Sequence, residues 1–203
     1  KFSSRELLEL LVERESLINE NLNAVVTLDL DRARLAADAA DEALAAGRSY
    51  GPLHGIPVTI KDALETKGLR STGGATELSD YIPNRDAPVV DAIKRAGAIV
   101  FGKTNLPRWS GDIQSYNEIF GTTVNTWNSE RVPGGSSGGA AAAVSAGLTS
   151  FEIGTDIGGS IRFPASFCGI YGHKPSFGIV PSTGYLDHRH GGVTAADVNV
   201  IGR

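Results

Sequence analysis

Hydrophobic residues near the start of the chain recur at helical spacing. Ser3-x-x-Glu6 has the form of a capping box, and Leu7, Leu8, Leu11 and Val12 follow along one face, predicting a helix over about residues 4–20. Ala24 to Leu28 is a short β-prone run. Asp29 to Ala46 is alanine-rich and predicts a second helix, stopped by Gly47. Pro57-Val58-Thr59-Ile60-Lys61 reads as a buried strand entered through Gly55. Ala87 to Ala96 predicts a helix with Val89, Val90 and Ile93 on one face; Gly97 ends it, and Ala98 to Phe101 is a core strand. A long polar stretch from Thr104 to Pro133 has no regular period. Beyond it the pattern gives a helix of small residues over Gly138–Ala146, a strand at Phe151–Ile153, a helical turn near Ser160–Pro164 and a strand at Ile170–His173. Strands alternating with helices indicate an α/β fold with a largely covered sheet. There is no internal repeat and no low-complexity linker.

Composition narrows this picture without changing it. The chain has 203 residues, 41% hydrophobic and 21% charged, enough for one large or two small domains. A net charge of −4 with no basic stretch gives no nucleic-acid footprint. No run approaches the roughly 18 apolar residues of a membrane helix, and the N-terminus lacks a signal-peptide core. The single cysteine, Cys168, excludes an internal disulfide and fits a reducing compartment, so a cytoplasmic location is expected, unless a leader has been removed. Its apolar surroundings make it a buried structural thiol. No metal or cofactor is expected. Most of the 25 glycines lie from Gly97 onward, which places open backbone, and hence ligand-facing loops, in the second half.

Two short motifs match known chemistry in the wrong context. Gly97-x-x-x-x-Gly102-Lys103-Thr104 has the letters of a phosphate-binding loop, but its intervening Ala-Ile-Val-Phe reads as a strand, and Pro107 follows where a helix should run. Gly134-x-Ser136-x-Gly138 has the letters of a nucleophile elbow. The residues before it, Ser129 to Pro133, read as a loop, although His173, His188 and His190 lie downstream and leave that alternative open.

Two serines stand out. Ser136-Ser137 is flanked by Gly134-Gly135 and Gly138-Gly139, and Ser160 follows Gly158-Gly159. A flexible linker would not run straight into an alanine helix and a core strand, so tight backbone around a reacting group is the better reading. Consecutive glycines before a serine let successive N–H groups converge on one spot, as an oxyanion hole requires. A serine also needs a base, and neither cluster holds a histidine. Lys61 ends an apolar strand, where loss of solvent would favour the neutral amine. A strand-end lysine is more often solvent-exposed, so the case for it depends on its companions.

Those companions carry a resemblance. Gly55-Ile-Pro-Val-Thr-Ile-Lys61-Asp62, Gly102-Lys-Thr-Asn105, Gly134-Gly-Ser-Ser-Gly-Gly139, Gly154-Thr-Asp-Ile-Gly-Gly-Ser-Ile-Arg-Phe-Pro-Ala165 and Cys168-Gly-Ile-Tyr-Gly-His-Lys-Pro175 together resemble the amidase signature family over about residues 50–185. The resemblance implies that family's fold: one α/β domain over residues 1–203, a mixed sheet covered by helices on both faces. It implies amide hydrolysis through an acyl-enzyme, with Lys61 as the base, Ser136 as a bridging serine in a cis peptide and Ser160 as the nucleophile. The backbone of Ile157, Gly158, Gly159 and Ser160 would form the oxyanion hole. Ser137 is expected to hydrogen-bond within the site, and Asp156 and Arg162 to brace its loop. His173 and Lys174 close the following strand. Trp109, Tyr116 and Trp127 either line an acyl pocket or pack the long loop.

Family members are longer, so the chain is expected to lack later strands and part of the pocket. The expected partner is a small-molecule amide, with no nucleic acid and no membrane. A homodimer and a separate chain carrying the rest of the fold are left open. Within the family, the alternative is the glutaminase subunit of a tRNA-dependent amidotransferase. Trp109 to Asn117 does not resemble the matching segment of that subunit, which favours a stand-alone amidase.

Overall fold

The computed structural model describes residues 2–186 and 197–202. Helix α1 (Ser4–Leu22) starts at the expected capping box: Ser3 Oγ accepts from the Glu6 N–H and Glu6 Oε2 from the Ser3 N–H. Strand β1 (Val25–Leu28) and helix α2 (Leu30–Ala45) follow. The alanines of α2 at positions 33, 37, 40 and 43 are buried, and α2 lies on α1. Next come β2 (Pro57–Lys61), α3 (Pro88–Arg95), β3 (Ile99–Thr104), the two-residue strands β4 (Tyr116–Asn117) and β5 (Gly121–Thr122), and α4 (Gly138–Ser145). The chain continues through β6 (Glu152–Asp156), α5 (Arg162–Cys168), β7 (Tyr171–Gly172) and β8 (Asp197–Gly202).

Among the described residues six strands form one sheet in the order β1-β3-β2-β6-β8-β7. β2 runs parallel to both β3 and β6, whereas β1 and β8 add antiparallel partners, so the sheet is mixed. Helices cover both faces. Leu8 of α1 and the α2 alanines pack on Ile99 and Phe101, and α3 places Val89, Val90 and Ile93 against Ile60, Val100 and Ile153. α4 lies across the middle of the sheet and is buried from Gly138 to Val144. Its small residues permit this: a Cβ on Gly139 would stand 2.5 Å from the backbone N and O of Asn105.

Three expectations shift. β3 extends past Phe101 because Gly102, Lys103 and Thr104 pair with β1 and β2, a pairing their polar side chains conceal. The turn expected at Ser160–Pro164 is instead the helix α5, ending at a left-handed Gly169. β8 has no counterpart among the expected strands. The stretch from Thr104 to Pro133 is irregular apart from β4, β5 and a 3-10 turn at Arg108–Ser110. Cys168 is buried, its Sγ donates to the Pro133 carbonyl at 3.4 Å, and burial pushes the thiol up to about 12, as befits a structural cysteine. Among the described residues no helix is long and apolar enough to cross a membrane.

Candidate active site

The C-terminal ends of the parallel strands β2 and β6 bring the candidate residues together. Lys61, the last residue of β2, is fully buried, and its Nζ donates to Ser136 Oγ at 2.7 Å and to Thr155 Oγ1 at 2.6 Å. Thr155, near the end of β6, is not among the sequence candidates. Its only signal is its place inside the Gly154–Ala165 motif.

Ser136 lies just before α4, and the Gly135–Ser136 peptide is cis. Gly135 is required by close approach, because a Cβ there would stand 2.6 Å from Asp112 O and Ile113 C. Ser137 ties three segments together. Its N–H donates to the Ser160 carbonyl at 3.0 Å, its Oγ donates to the Thr155 carbonyl at 3.2 Å, and it accepts from the Thr155 N–H at 3.2 Å. The loop carrying Ser160 is thereby pinned to the segment carrying Ser136.

Ser160 is half-buried and lines a cleft of about 400 Å³ together with Ile157, Gly158, Thr155, Phe163 and the Ser110–Ile113 segment. The turn before it is organised by Asp156. Its carboxylate accepts from the backbone N–H of Gly159 (2.8 Å), Ile161 (3.1 Å) and Arg162 (3.3 Å), and the Arg162 guanidinium grips both oxygens at 2.9 and 3.0 Å. Burial works against the charge, but the Arg162 fork and the three N–H groups outweigh it and lower Asp156 to about 2. Because Gly159 already donates to Asp156, the expected run of four converging N–H groups contains one that is spoken for. Gly159 has φ +130°, and a Cβ there would stand 2.4 Å from the Phe163 ring, whereas a Cβ on Gly158 would meet nothing.

The aromatic candidates stand outside the cleft lining, with Trp109 half-buried beside Gly73. Trp127 is 74% exposed and donates from Nε1 to the Cys168 carbonyl, and Tyr116 donates to Asp112 Oδ2. The aromatic side chains in the cleft are Phe163 and Tyr185 instead.

The competing motifs fare differently. Lys103 sits inside β3, fully buried, and donates to Leu64 O (2.7 Å), Thr66 Oγ1 (3.1 Å) and Ser71 Oγ (2.9 Å), with Asp62 Oδ1 at 3.8 Å. Burial draws its ammonium down to about 8 against the pull of Asp62. No helix starts at Thr104, so the phosphate-loop letters form no phosphate cradle. For the elbow, no strand leads directly into Ser136, whose hydroxyl is engaged by Lys61, and His173 is exposed. His188 and His190 lie outside the described residues. Among the described residues no group of His, Cys, Asp or Glu could hold a metal ion.

Comparison with known proteins places the fold. The family model described as Amidase matches residues 6–202. The A subunit of the glutamyl-tRNA(Gln) amidotransferase from Prochlorococcus marinus (strain MIT 9313) is 46% identical over 91% of this chain and 38% of that protein, and its counterpart from Heliobacterium modesticaldum is 44% identical over the same shares. Among solved structures, an amidase is 37% identical with a TM-score of 0.90 over 100% of this chain and 45% of its own. The peptide amidase of Stenotrophomonas maltophilia is 32% identical with a TM-score of 0.92, over 100% and 42%. The chain thus spans about 38% of the length of these curated relatives. The chain belongs to the amidase (amidase signature) family.

Proposed function

We propose that this chain carries the Lys61–Ser136–Ser160 machinery of an amide hydrolase acting on a small-molecule amide. The observation that carries the reading is the buried Lys61 Nζ held 2.7 Å from Ser136 Oγ and 2.6 Å from Oγ1 of Thr155, which lines the same cleft as Ser160. Lys61 takes the hydroxyl proton of Ser136 as Ser136 takes that of Ser160. The Ser160 oxygen bonds to the amide carbonyl carbon, and the carbonyl oxygen becomes an oxyanion. N–H groups of Ile157, Gly158 and Ser160 stabilise it, with Gly159 serving the turn through Asp156. The C–N bond breaks as the proton returns through Ser136 to the leaving nitrogen. Water then repeats the relay on the acyl-enzyme and releases the carboxylate.

A fluorophosphonate probe tests this. Labelling is expected on Ser160, abolished in Ser160→Ala and strongly slowed in Lys61→Ala. Labelling on Ser136 in the unmodified chain would overturn it in favour of the elbow.

A second reading is favoured by the curated relatives, which are components of amidotransferases. The catalytic groups would be the same, and the amide would be glutamine. Glutaminase activity that rises with charged tRNA and a partner protein would decide for it. Activity on simple amides by the chain's own enzyme, unaffected by those additions, supports the stand-alone amidase.

A further inference from the structure

A serine outside the proposed relay grips the backbone that carries Ser136. Ser115 is fully buried and stands immediately before β4, in the loop whose Ser110–Ile113 segment lines the cleft. Its Oγ accepts from the Gly138 N–H at 2.9 Å and donates toward the carbonyls of Gly134 (3.2 Å) and Ser136 (3.4 Å). One hydroxyl thus reaches backbone groups before, at and after Ser136. The packing there leaves no slack. A Cβ on Gly138 would stand 2.4 Å from Ser115 Oγ, just as one on Gly135 would meet the Asp112 carbonyl. These glycines let the cleft loop press directly on the Ser136 segment.

Ser115 is itself held from behind. Its carbonyl accepts from the Thr123 N–H at 2.9 Å, and its N–H donates to Gln114 Oε1 at 2.9 Å. Asn117 secures the next turn of the loop. Its Oδ1 accepts from the Ile119 and Phe120 N–H groups, and its Nδ2 donates to Asn105 Oδ1 (2.7 Å) and the Leu106 carbonyl (2.9 Å). Asn105 follows β3 directly, so the loop is tied to the sheet. Ser137 holds the Ser136 segment from the β6 side. Ser136 therefore lies between two anchors, with its Oγ 2.7 Å from Lys61 Nζ. A buried serine in an irregular loop needs partners in any case. What distinguishes Ser115 is that its partners bracket the one residue whose hydroxyl must meet both Lys61 and Ser160.

We infer that Ser115 is a positioning residue for Ser136: its buried hydroxyl, joined to the Gly134 and Ser136 carbonyls and the Gly138 N–H, fixes the backbone from which Ser136 reaches Lys61. The inference rests on Ser136 being the bridging serine of the proposed relay. Groups that pass a proton need a hydrogen bond of near-ideal length, and a shift of about 1 Å can cost roughly 10²-fold in rate.

The test measures fluorophosphonate labelling of the full-length enzyme, in conditions where urea denaturation shows the protein fully folded. The rate constant at saturating probe reports the relay, and the probe concentration giving half that rate reports the cleft. Ser115→Ala is expected to lower the rate constant by roughly tenfold or more and to leave the half-saturating concentration within about twofold. An unchanged rate constant would mean that Ser115 only binds the loop together. A change confined to the half-saturating concentration would mean that it acts on the cleft, and either result overturns the inference. Ser115→Cys keeps the shape of the side chain with a weaker donor and acceptor, and carries the same test if the alanine variant does not fold. Its rate constant should fall below that of wild type, and a wild-type value overturns the inference equally. A Ser136→Ala background completes a double-mutant cycle. If Ser115 acts through Ser136, Ser115→Ala should slow the residual labelling there by less than about twofold. A loss as large as in the wild-type background overturns the inference. Ser136→Ala also separates the two claims. Wild-type labelling of that variant sinks the proposed relay, whereas its slow labelling together with a wild-type rate for Ser115→Ala sinks only the role of Ser115.

Discussion

The two glycines before Ser160 make opposite demands, so they form a controlled pair. Gly159 has φ +130°, a backbone region closed to residues with a Cβ, and an added methyl would stand 2.4–2.7 Å from three carbons of the Phe163 ring. The ring is 44% exposed and can swing outward, so the steric part is relieved cheaply. The dihedral cannot be relieved without moving the turn, at about 1–3 kcal/mol. Moving it breaks the 2.8 Å bond to Asp156 and re-aims the N–H groups of Gly158 and Ser160. Gly159→Ala is therefore expected to lose about 1–3 kcal/mol of stability and roughly 10²–10³ in acylation rate, the usual worth of an oxyanion donor. Gly158 has no such φ, and its methyl would meet no atom within 4 Å. Gly158→Ala should keep its stability within about 0.5 kcal/mol and act on substrate affinity, because that methyl projects where the cleft is lined. Urea denaturation and labelling rates at saturating and limiting probe separate the effects. Wild-type behaviour of Gly159→Ala, or equal damage from both substitutions, would refute the reasoning.

Three further outcomes follow from the same contacts. Asp156 is lowered from 3.8 to about 2, so its contribution is present above pH 4 and lost as pH falls through about 2; the gap corresponds to roughly 2 kcal/mol, reduced to about 1 because Arg162 is 55% exposed. The difference in Tm between wild type and Asp156→Asn should shrink over that window, and a constant difference would count against it. Lys103→Met leaves Asp62 buried beside unfilled acceptors and should cost about 3–5 kcal/mol in urea denaturation, while ATP titration of the wild type should give no binding heat; binding would revive the phosphate-loop reading. Thr155→Val removes the acceptor 2.6 Å from Lys61 Nζ. It should slow labelling about tenfold at a stability cost near 1 kcal/mol, the usual worth of one hydrogen bond, and an unchanged rate would exclude Thr155 from orienting the lysine.

Much of this architecture is written locally. The Ser3–Glu6 box, the alanine period of α2 and the Pro57–Lys61 run each specify their element through caps, spacing or β-branched residues, and each forms where expected. What sequence conceals is pairing. Gly102, Lys103 and Thr104 look like loop residues, yet β1 and β2 on either side supply their hydrogen bonds. Glu152 carries no sign of burial in the strand pattern of Phe151–Ile153, but it is fully buried, with α4 and the neighbouring strands packed on β6. The engagement of Gly159 by Asp156 is equally invisible, since the motif places four glycine-rich residues in a row without saying which N–H the carboxylate takes. The aromatic question is decided by the path of the Thr104–Pro133 loop, which has no period to read.

The two buried lysines show why position in the sheet decides chemistry where residue type cannot. Lys61 and Lys103 stand on adjacent strands one register step apart, since Lys103 pairs with Ile60 and Lys61 with Thr104. They therefore project from opposite faces. Lys103 meets the hydroxyls of Thr66 and Ser71 but also the Leu64 carbonyl, which can only accept, and has the Asp62 carboxylate at 3.8 Å. Such partners hold a lysine as a donor and make proton uptake useless there. Lys61 lies within hydrogen-bond distance of the hydroxyls of Ser136 and Thr155. A hydroxyl can donate as well as accept, so the contact with Ser136 survives reversal when the amine becomes the acceptor. A base must be able to turn its hydrogen bond round without leaving a buried group unpaired. On these strands the face under α4 suits the base proposed for Lys61, since Lys61, Ser136 and α4 from Gly138 to Val144 are all buried there.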